Sequence, residues 1–114
     1  MNVPISKATA PHYVWGGVCD GWRLANEPGL SVIEERVPAR GTEKRHYHQH
    51  ARQFFYILSG EATLEVEGVE HVLRPGFGLE VAPGARHCFK NKGAVDVTFL
   101  VISAPTTAGD RFES

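Results

Sequence analysis

The chain has 114 residues, of which 42% are apolar and 22% charged, and its formal net charge at pH 7 is -1. This length suits one domain around one core, and the ordinary apolar content with balanced charge excludes a disordered tail and a strongly basic nucleic-acid binder. The apolar runs fall far short of the roughly 20 residues that a membrane span needs. The amino terminus lacks the charged and apolar regions of a secretory signal, so we expect a cytoplasmic protein that binds neither nucleic acid nor membranes.

The first predicted elements are short strands at residues 13–15, 22–24 and 30–37. Gly16-Gly17 separates the first pair, and the run 26–29, which contains Pro-Gly, separates the second. Glycine and proline at such close intervals leave room for strands and turns but little room for helices.

The clearest strand signal lies at residues 61–67, where apolar and polar residues alternate. This period of two predicts a half-buried strand with Ala62, Leu64 and Val66 on its inner face. The run 53–58 before it is rich in aromatic and β-branched residues, and Ser59-Gly60 suits a tight turn, so the two strands are predicted to form a hairpin.

Pro-Gly and Gly-containing turns then divide the rest into strands near residues 71–74, 77–81, 86–90 and 95–103. No stretch longer than about ten residues keeps a helical apolar pattern, and we expect roughly eight to ten strands in all. The pattern predicts an all-β sandwich or barrel with little or no helix. We expect a single domain over residues 1–114, with a core at about 30–103, amino-terminal strands at 12–25, and an irregular tail at 104–114 that Asp110, Arg111 and Phe112 could anchor.

Two histidines stand two residues apart at His46 and His48. On a strand they point to the same side, so both imidazoles can reach one ion. An isolated pair of this kind is also typical of a polar strand end that faces solvent. The residues around the pair distinguish a metal site from such a strand end.

Glycine, proline, glutamine and a further histidine stand at defined distances around this pair. One segment reads Gly41-(x)4-His46-x-His48-(x)4-Gln53-(x)6-Gly60, and a second reads Gly76-(x)5-Ala82-Pro83-Gly84-(x)2-His87-(x)3-Asn91. This pattern resembles the two signature motifs of the cupin superfamily, of the small single-domain bacterial type. Gln53 stands where the family motif has a glutamate.

The resemblance implies a double-stranded β-helix, the cupin jelly-roll barrel, with His46, His48, Gln53 and His87 as the metal ligands. It implies one divalent transition metal ion per chain, and zinc, nickel, manganese and iron all remain open. The Gln53 oxygen is a weaker ligand than a carboxylate, and this side chain could instead stand beside an open coordination position. His50 shares the parity of the pair but is expected to be exposed or to contact a ligand, and not to bind the metal itself.

Three imidazoles and one amide carry no negative charge, so a bound divalent ion would keep its full charge and favour an anionic substrate. Neutral imidazoles are required for binding, and ordinary histidines would release the metal as the pH falls below about 6.5. The charged residues near strand ends, Glu80, Arg86, Asp96 and Asp110, are expected to be solvated.

Two functions fit these expectations. The first is a small-molecule metalloenzyme of the isomerase, lyase, cyclase or dioxygenase type, and the second is a non-enzymatic module that binds or senses a metabolite or metal. The apolar residues Trp15, Trp22 and 54–58 indicate a two-fold homodimer, with residues 54, 56 and 58 facing another layer or a partner subunit.

Overall fold

The computed structural model describes residues 2–114, and over that range the chain forms eleven β-strands and no helix. It therefore contains no helix long and apolar enough to cross a membrane within those residues. The strands are β1 (His12–Trp15), β2 (Cys19–Glu27), β3 (Leu30–Val37), β4 (His46–Tyr47), β5 (Arg52–Ser59), β6 (Ala62–Val66), β7 (Val69–Leu73), β8 (Gly78–Val81), β9 (His87–Lys90), β10 (Val97–Ala104) and β11 (Phe112–Glu113).

The strands form two antiparallel sheets. One has the order β1-β2-β3-β10-β5-β8 and the other the order β11-β4-β9-β6-β7. From β3 onward the chain crosses between the sheets repeatedly, except that β6 and β7 are neighbours in one sheet. The predicted hairpin of β5 and β6 is therefore wrong. The two strands lie in opposite sheets, where β5 pairs with β10 and β8 while β6 pairs with β7 and β9. This two-sheet arrangement is the double-stranded β-helix that the resemblance to cupins implies, and the all-β fold class predicted from the strand pattern is confirmed.

The centre of the core is aromatic. Phe89 from β9 and Phe99 from β10 stack across the two sheets with ring centroids 4.0 Å apart, and each is only 1% exposed. Phe55 from β5 packs against both and also lies with its ring centroid 6.0 Å from that of His87. Phe55 therefore connects the aromatic centre of the core to the histidine on β9.

The strand predicted as half-buried is β6, and here the prediction is wrong for its outer face. Thr63 and Glu65 are buried as well as Ala62 and Leu64. Arg45 covers Glu65 on this face, since its guanidinium binds the Glu65 carboxylate through Nε at 2.8 Å and Nη2 at 3.2 Å. These bonds lower the pKa of Glu65, so its carboxylate stays ionised although it is buried. The alternation of apolar and polar residues along β6 does not reveal that Arg45 lies against it.

The carboxyl-terminal segment is held against the barrel. Phe112 pairs with Tyr47 and Glu113 with His46, so β11 extends the smaller sheet beside β4. The rings of Tyr47 and Phe112 stack at 5.3 Å. The anchoring that the sequence allowed for this segment is therefore present, while the expectation of an irregular segment is wrong at residues 112–113, which form a strand. This strand brings the end of the chain to the histidine strand β4.

Candidate metal centre

Three buried histidines converge at one end of the barrel. His46 lies on β4 and pairs in register with His87 on β9, while His48 follows β4 directly. All three are at most 5% exposed, and their ring centroids lie 4.4 to 5.6 Å apart. One ring nitrogen from each lies within 4.8 Å of the others, so the cluster could hold a metal ion.

Backbone carbonyl groups fix the tautomer of each ring. A carbonyl oxygen only accepts hydrogen bonds, so an Nδ1 in contact with it carries the proton and leaves the Nε2 lone pair free for a metal. The carbonyl oxygens are those of Lys44 at 2.8 Å from His46 Nδ1, Asp110 at 2.6 Å from His48 Nδ1, and Ala85 at 2.9 Å from His87 Nδ1.

Within residues 2–114, two buried side-chain atoms lack a hydrogen-bond partner, and both belong to predicted ligands: Gln53 Oε1 and His87 Nε2. Gln53 Nε2 donates to Ser103 Oγ at 3.1 Å, an orientation that leaves the amide oxygen free. An unpaired buried acceptor costs roughly 1–3 kcal/mol. A cation among these atoms would remove that cost, and the donor set therefore fits a divalent transition metal.

The electrostatics of the cluster favour neutral rings. Desolvation by burial lowers the pKa of His46 to about 3, and burial is also the main cause of the lowered pKa of His48 and His87. The rings are therefore unprotonated near neutral pH, which is the state that coordinates metals.

Asp110 ties the carboxyl-terminal segment to the histidines. Its carboxylate accepts the backbone N–H groups of residues 49, 50 and 51 at 2.8, 2.9 and 3.0 Å, while its carbonyl holds the His48 ring. Burial acts to raise the pKa of Asp110, but the three N–H donors outweigh it and lower that pKa. The expectation of a solvated charge is wrong at this position, since Asp110 is 6% exposed and fixes the loop between His48 and Gln53.

We expect Asp110→Ala to lower metal affinity by about 10- to 100-fold, the usual cost of losing a group that orients a ligand. Without the carboxylate, the loop 49–51 loses three hydrogen bonds and the Asp110 carbonyl is no longer fixed against His48. Competition with a chromogenic chelator measures the affinity. Asp96→Asn is the control because Asp96 is exposed and away from the cluster. Unchanged affinity in Asp110→Ala would show that the loop holds its shape without this anchor.

A cavity of about 170 Å³ opens beside the histidines. Its polar wall includes two acids that the sequence did not single out, Glu35 on β3 and Glu43 in the loop before β4, together with Tyr13 and Arg111. Burial raises the pKa of Glu35 to about 7 and that of Glu43 to about 8. The sequence contains one indication that Glu35 faces the interior: on β3 it shares its strand face with Ile33 and Val37, which are buried.

The remaining histidines and strand-end charges lie apart from this cluster. His50 is exposed, as expected, and only its backbone N–H contacts Asp110. His12 lies at the surface with its Nε2 2.7 Å from an Asp20 carboxylate oxygen. The exposed Glu80 pairs with Arg52.

Comparisons with known proteins agree with this architecture. Residues 33–103 match the family model described as "Cupin domain". Protein SchB of Streptomyces halstedii is 33% identical over 79 residues, which are 68% of this chain and 53% of SchB. The chain thus spans about half the length of that curated relative, and a smaller share of some others.

Solved structures show the same fold. KdgF from Halomonas sp. superposes with a TM-score of 0.84 at 16% identity, covering 93% of this chain and 96% of that one. The polyketide cyclase RemF from Streptomyces resistomycificus superposes with a TM-score of 0.81 at 17% identity, covering 93% of this chain and 81% of that one. Matched proteins also include a dimethylsulfoniopropionate lyase and a sugar phosphate isomerase, so enzymes are present among them.

Proposed function

The chain belongs to the cupin family, and on that premise we propose that it is a metal-dependent enzyme acting on a small anionic molecule, of the isomerase, lyase, cyclase or dioxygenase type. The observation that carries this proposal is the convergence of three neutral, backbone-oriented imidazoles beside a cavity that His46, His48 and Gln53 line. Gln53 Oε1 and His87 Nε2 are otherwise unpaired there. A buried cluster of this kind is costly unless a ligand occupies it.

We propose that His46, His48 and His87 hold one divalent ion through Nε2 and that Gln53 contributes Oε1. Zinc, nickel, manganese and iron all suit imidazole and carbonyl donors. When bound, such an ion supplies a concentrated positive charge that polarises the oxygen atoms of a substrate. The protein's part is to present four uncharged donors from rigid strands and the Asp110-anchored loop.

An anionic substrate is supported by the cavity wall. Arg111 lines the cavity and forms no ion pair with a carboxylate within the described chain; its Nη2 reaches only the Lys44 carbonyl, at 3.5 Å. A guanidinium left free at the mouth of a small cavity is suited to a carboxylate or phosphate. The volume of about 170 Å³ admits a small molecule and excludes a polymer.

Turnover assays on metal-loaded protein test the proposal. We expect at least one member of a panel of oxo acids and sugar phosphates to be converted, with activity lost on chelation and restored by the metal. Activity with iron that consumes dioxygen would assign the dioxygenase type, and activity with zinc, nickel or manganese the isomerase or lyase type. Tight binding of metal and metabolite without turnover across the panel would contradict an enzyme and favour a binding module.

Gln53→Glu is expected to keep the metal and to weaken the binding of small anions by about tenfold, because it adds one negative charge beside the ion. Titration calorimetry of the zinc-loaded variant with oxalate measures this change. Gln49→Glu is the matched control, since it makes the same substitution at an exposed position. Equal oxalate affinity in Gln53→Glu and wild type would place Gln53 outside the metal's coordination sphere.

We propose that the outer face of β5 pairs two copies of the chain. Phe54, Tyr56 and Leu58 are each 38 to 40% exposed on neighbouring outward positions of this strand, an apolar patch that a monomer has little reason to display. We expect Tyr56→Glu to turn a dimer into a monomer in sedimentation equilibrium. Val72→Glu places the same charge at an exposed position of the other sheet and should leave the dimer intact. A wild-type monomer at micromolar concentration would contradict this pairing.

A further inference from the structure

Tyr13, Gly21 and Glu35 form a row across the first three strands, on the face that looks into the barrel. The register pairs Tyr13 with Gly21 and Gly21 with Glu35. A Cβ atom on Gly21 would lie 2.2 Å from Cζ of the Tyr13 ring, so only glycine lets that ring lie across β2. Tyr13 Oη thereby reaches β3 and donates to Glu35 Oε2 at 3.2 Å.

Glu35 is thus an acid between two apolar residues on its strand face and lines the same cavity as His46, His48 and Gln53. The residues two positions before and after it, Ile33 and Val37, are buried in the core. Within residues 2–114 it forms no ion pair with a lysine or arginine, and its hydrogen-bond partner is the neutral phenol of Tyr13. A half-buried carboxyl held in this way does little for stability, whereas such groups are common where proton transfer takes place.

The charges around Glu35 leave both of its protonation states accessible. Burial raises its pKa to about 7, while the Tyr13 hydrogen bond, Arg111 and Arg23 act in the opposite direction. Burial together with the nearby Glu35 charge raises the pKa of Tyr13, so the phenol remains a donor. The titratable and charged groups that face Glu35 from the surrounding elements are Tyr13, Cys19, Arg23, Glu43, His46, His48 and Arg111.

Resting on the proposed function, we propose that Glu35 is a catalytic residue that moves a proton to and from carbon in a small oxo-acid or hydroxycarbonyl anion, and that Tyr13 positions it. The Glu35 carboxylate takes a proton from the carbon next to the substrate carbonyl. The C–H bond breaks, its electron pair moves into the carbonyl to give an enolate, and an O–H bond forms on Glu35. If the proton on Glu35 is replaced by one from solvent before it returns to the same carbon, the substrate regains its structure with solvent hydrogen incorporated. In a hydroxycarbonyl, return of the proton to the neighbouring carbon, with transfer of the hydroxyl proton to the former carbonyl oxygen, gives an isomer.

This step needs no oxidant, so it favours the isomerase, lyase and cyclase types over the dioxygenase type. A single acid that is near half protonation at neutral pH is able both to accept and to return a proton. The substrate class follows from the cavity, which combines a free guanidinium for an anionic end with Glu35 for an adjacent acidic carbon.

Pyruvate in D₂O is the probe, and loss of its methyl ¹H signal in NMR measures exchange. We expect zinc-loaded wild type to accelerate this loss above zinc alone, and Glu35→Gln to reduce the protein-dependent rate by about 100-fold or more. Glu34→Gln is the matched control because Glu34 is the next residue and forms an ion pair with Lys7, away from the cavity. Its rate should equal that of wild type.

Tyr13→Phe separates positioning from simple structural support. Loss of the hydrogen bond removes an influence that lowers the Glu35 pKa, so the pH midpoint of exchange should move upward with little change in the plateau rate. Infrared titration of the metal-free protein, with Glu35→Gln subtracted, follows the protonated carboxyl directly. Its midpoint should lie near 7 in wild type and higher in Tyr13→Phe.

The outcomes distinguish this inference from the proposed function. Wild type that binds zinc but does not exchange pyruvate, or Glu35→Gln that exchanges as fast as wild type, overturns the role of Glu35 alone. Wild type that binds no zinc contradicts the proposed function and, with it, this inference. An unshifted midpoint in Tyr13→Phe removes Tyr13 from the assignment.

Discussion

His48→Ala is expected to abolish stoichiometric metal retention. The substitution removes one of three imidazole donors and also releases the Asp110 carbonyl, which lies 2.6 Å from His48 Nδ1. Loss of a ligand should cost more than the 10- to 100-fold that loss of an orienting group costs. Elemental analysis after dialysis against metal-free buffer measures retention, and we expect one ion per wild-type chain and nearly none in the variant.

His50→Ala provides the matched control for this experiment. His50 follows His48 by two residues and is exposed, so its removal should leave the metal content of the protein at the wild-type level. A His48→Ala protein that still holds one ion per chain would exclude His48 as a ligand. Equal losses in both variants would indicate a disturbed loop instead of a lost donor.

Metal retention is expected to persist well below pH 6.5. Protons compete with a metal only below the pKa of the free imidazole, and burial lowers that pKa for all three histidines, to about 3 for His46. Between pH 7 and 5.5, three ordinary histidines would lose on the order of 10²- to 10³-fold in affinity. We expect less than about tenfold, because in this range the rings mostly remain neutral.

Chelator competition at a series of pH values measures this dependence. A steep loss of affinity centred near pH 6.5 would show that the rings titrate as in water and that the site is more hydrated than its burial indicates. The sequence alone predicts release of the metal below about pH 6.5, and the buried rings of the structure predict release at a lower pH.

The all-β fold class was predictable because closely spaced glycine and proline residues limit the chain to short strands. Gly60 and Gly76 illustrate this, since both adopt positive φ in turns that connect strands. The burial of β6 was not predictable, because alternation describes one strand at a time. Glu65 on the outer face of β6 is covered by Arg45, which lies 20 positions earlier in the sequence.

In the candidate metal centre, too, contacts between residues distant in sequence could not be predicted. The resemblance to the two cupin motifs identified the histidines and Gln53, because each of those motifs is a short continuous stretch of sequence. Asp110 lies about 60 positions after the loop that it fixes, and Tyr13 lies 22 positions before Glu35, so only the folded chain relates them. Whether the protein is cytoplasmic stays a prediction.

The most direct measurement of the central claim is a crystal structure of zinc-loaded protein with anomalous diffraction recorded at the zinc edge. We expect one peak per chain, at about 2.0–2.2 Å from the Nε2 atoms of His46, His48 and His87 and from Gln53 Oε1. A map with no peak among these atoms, or with zinc bound only elsewhere on the chain, would contradict the claim that they form a metal centre.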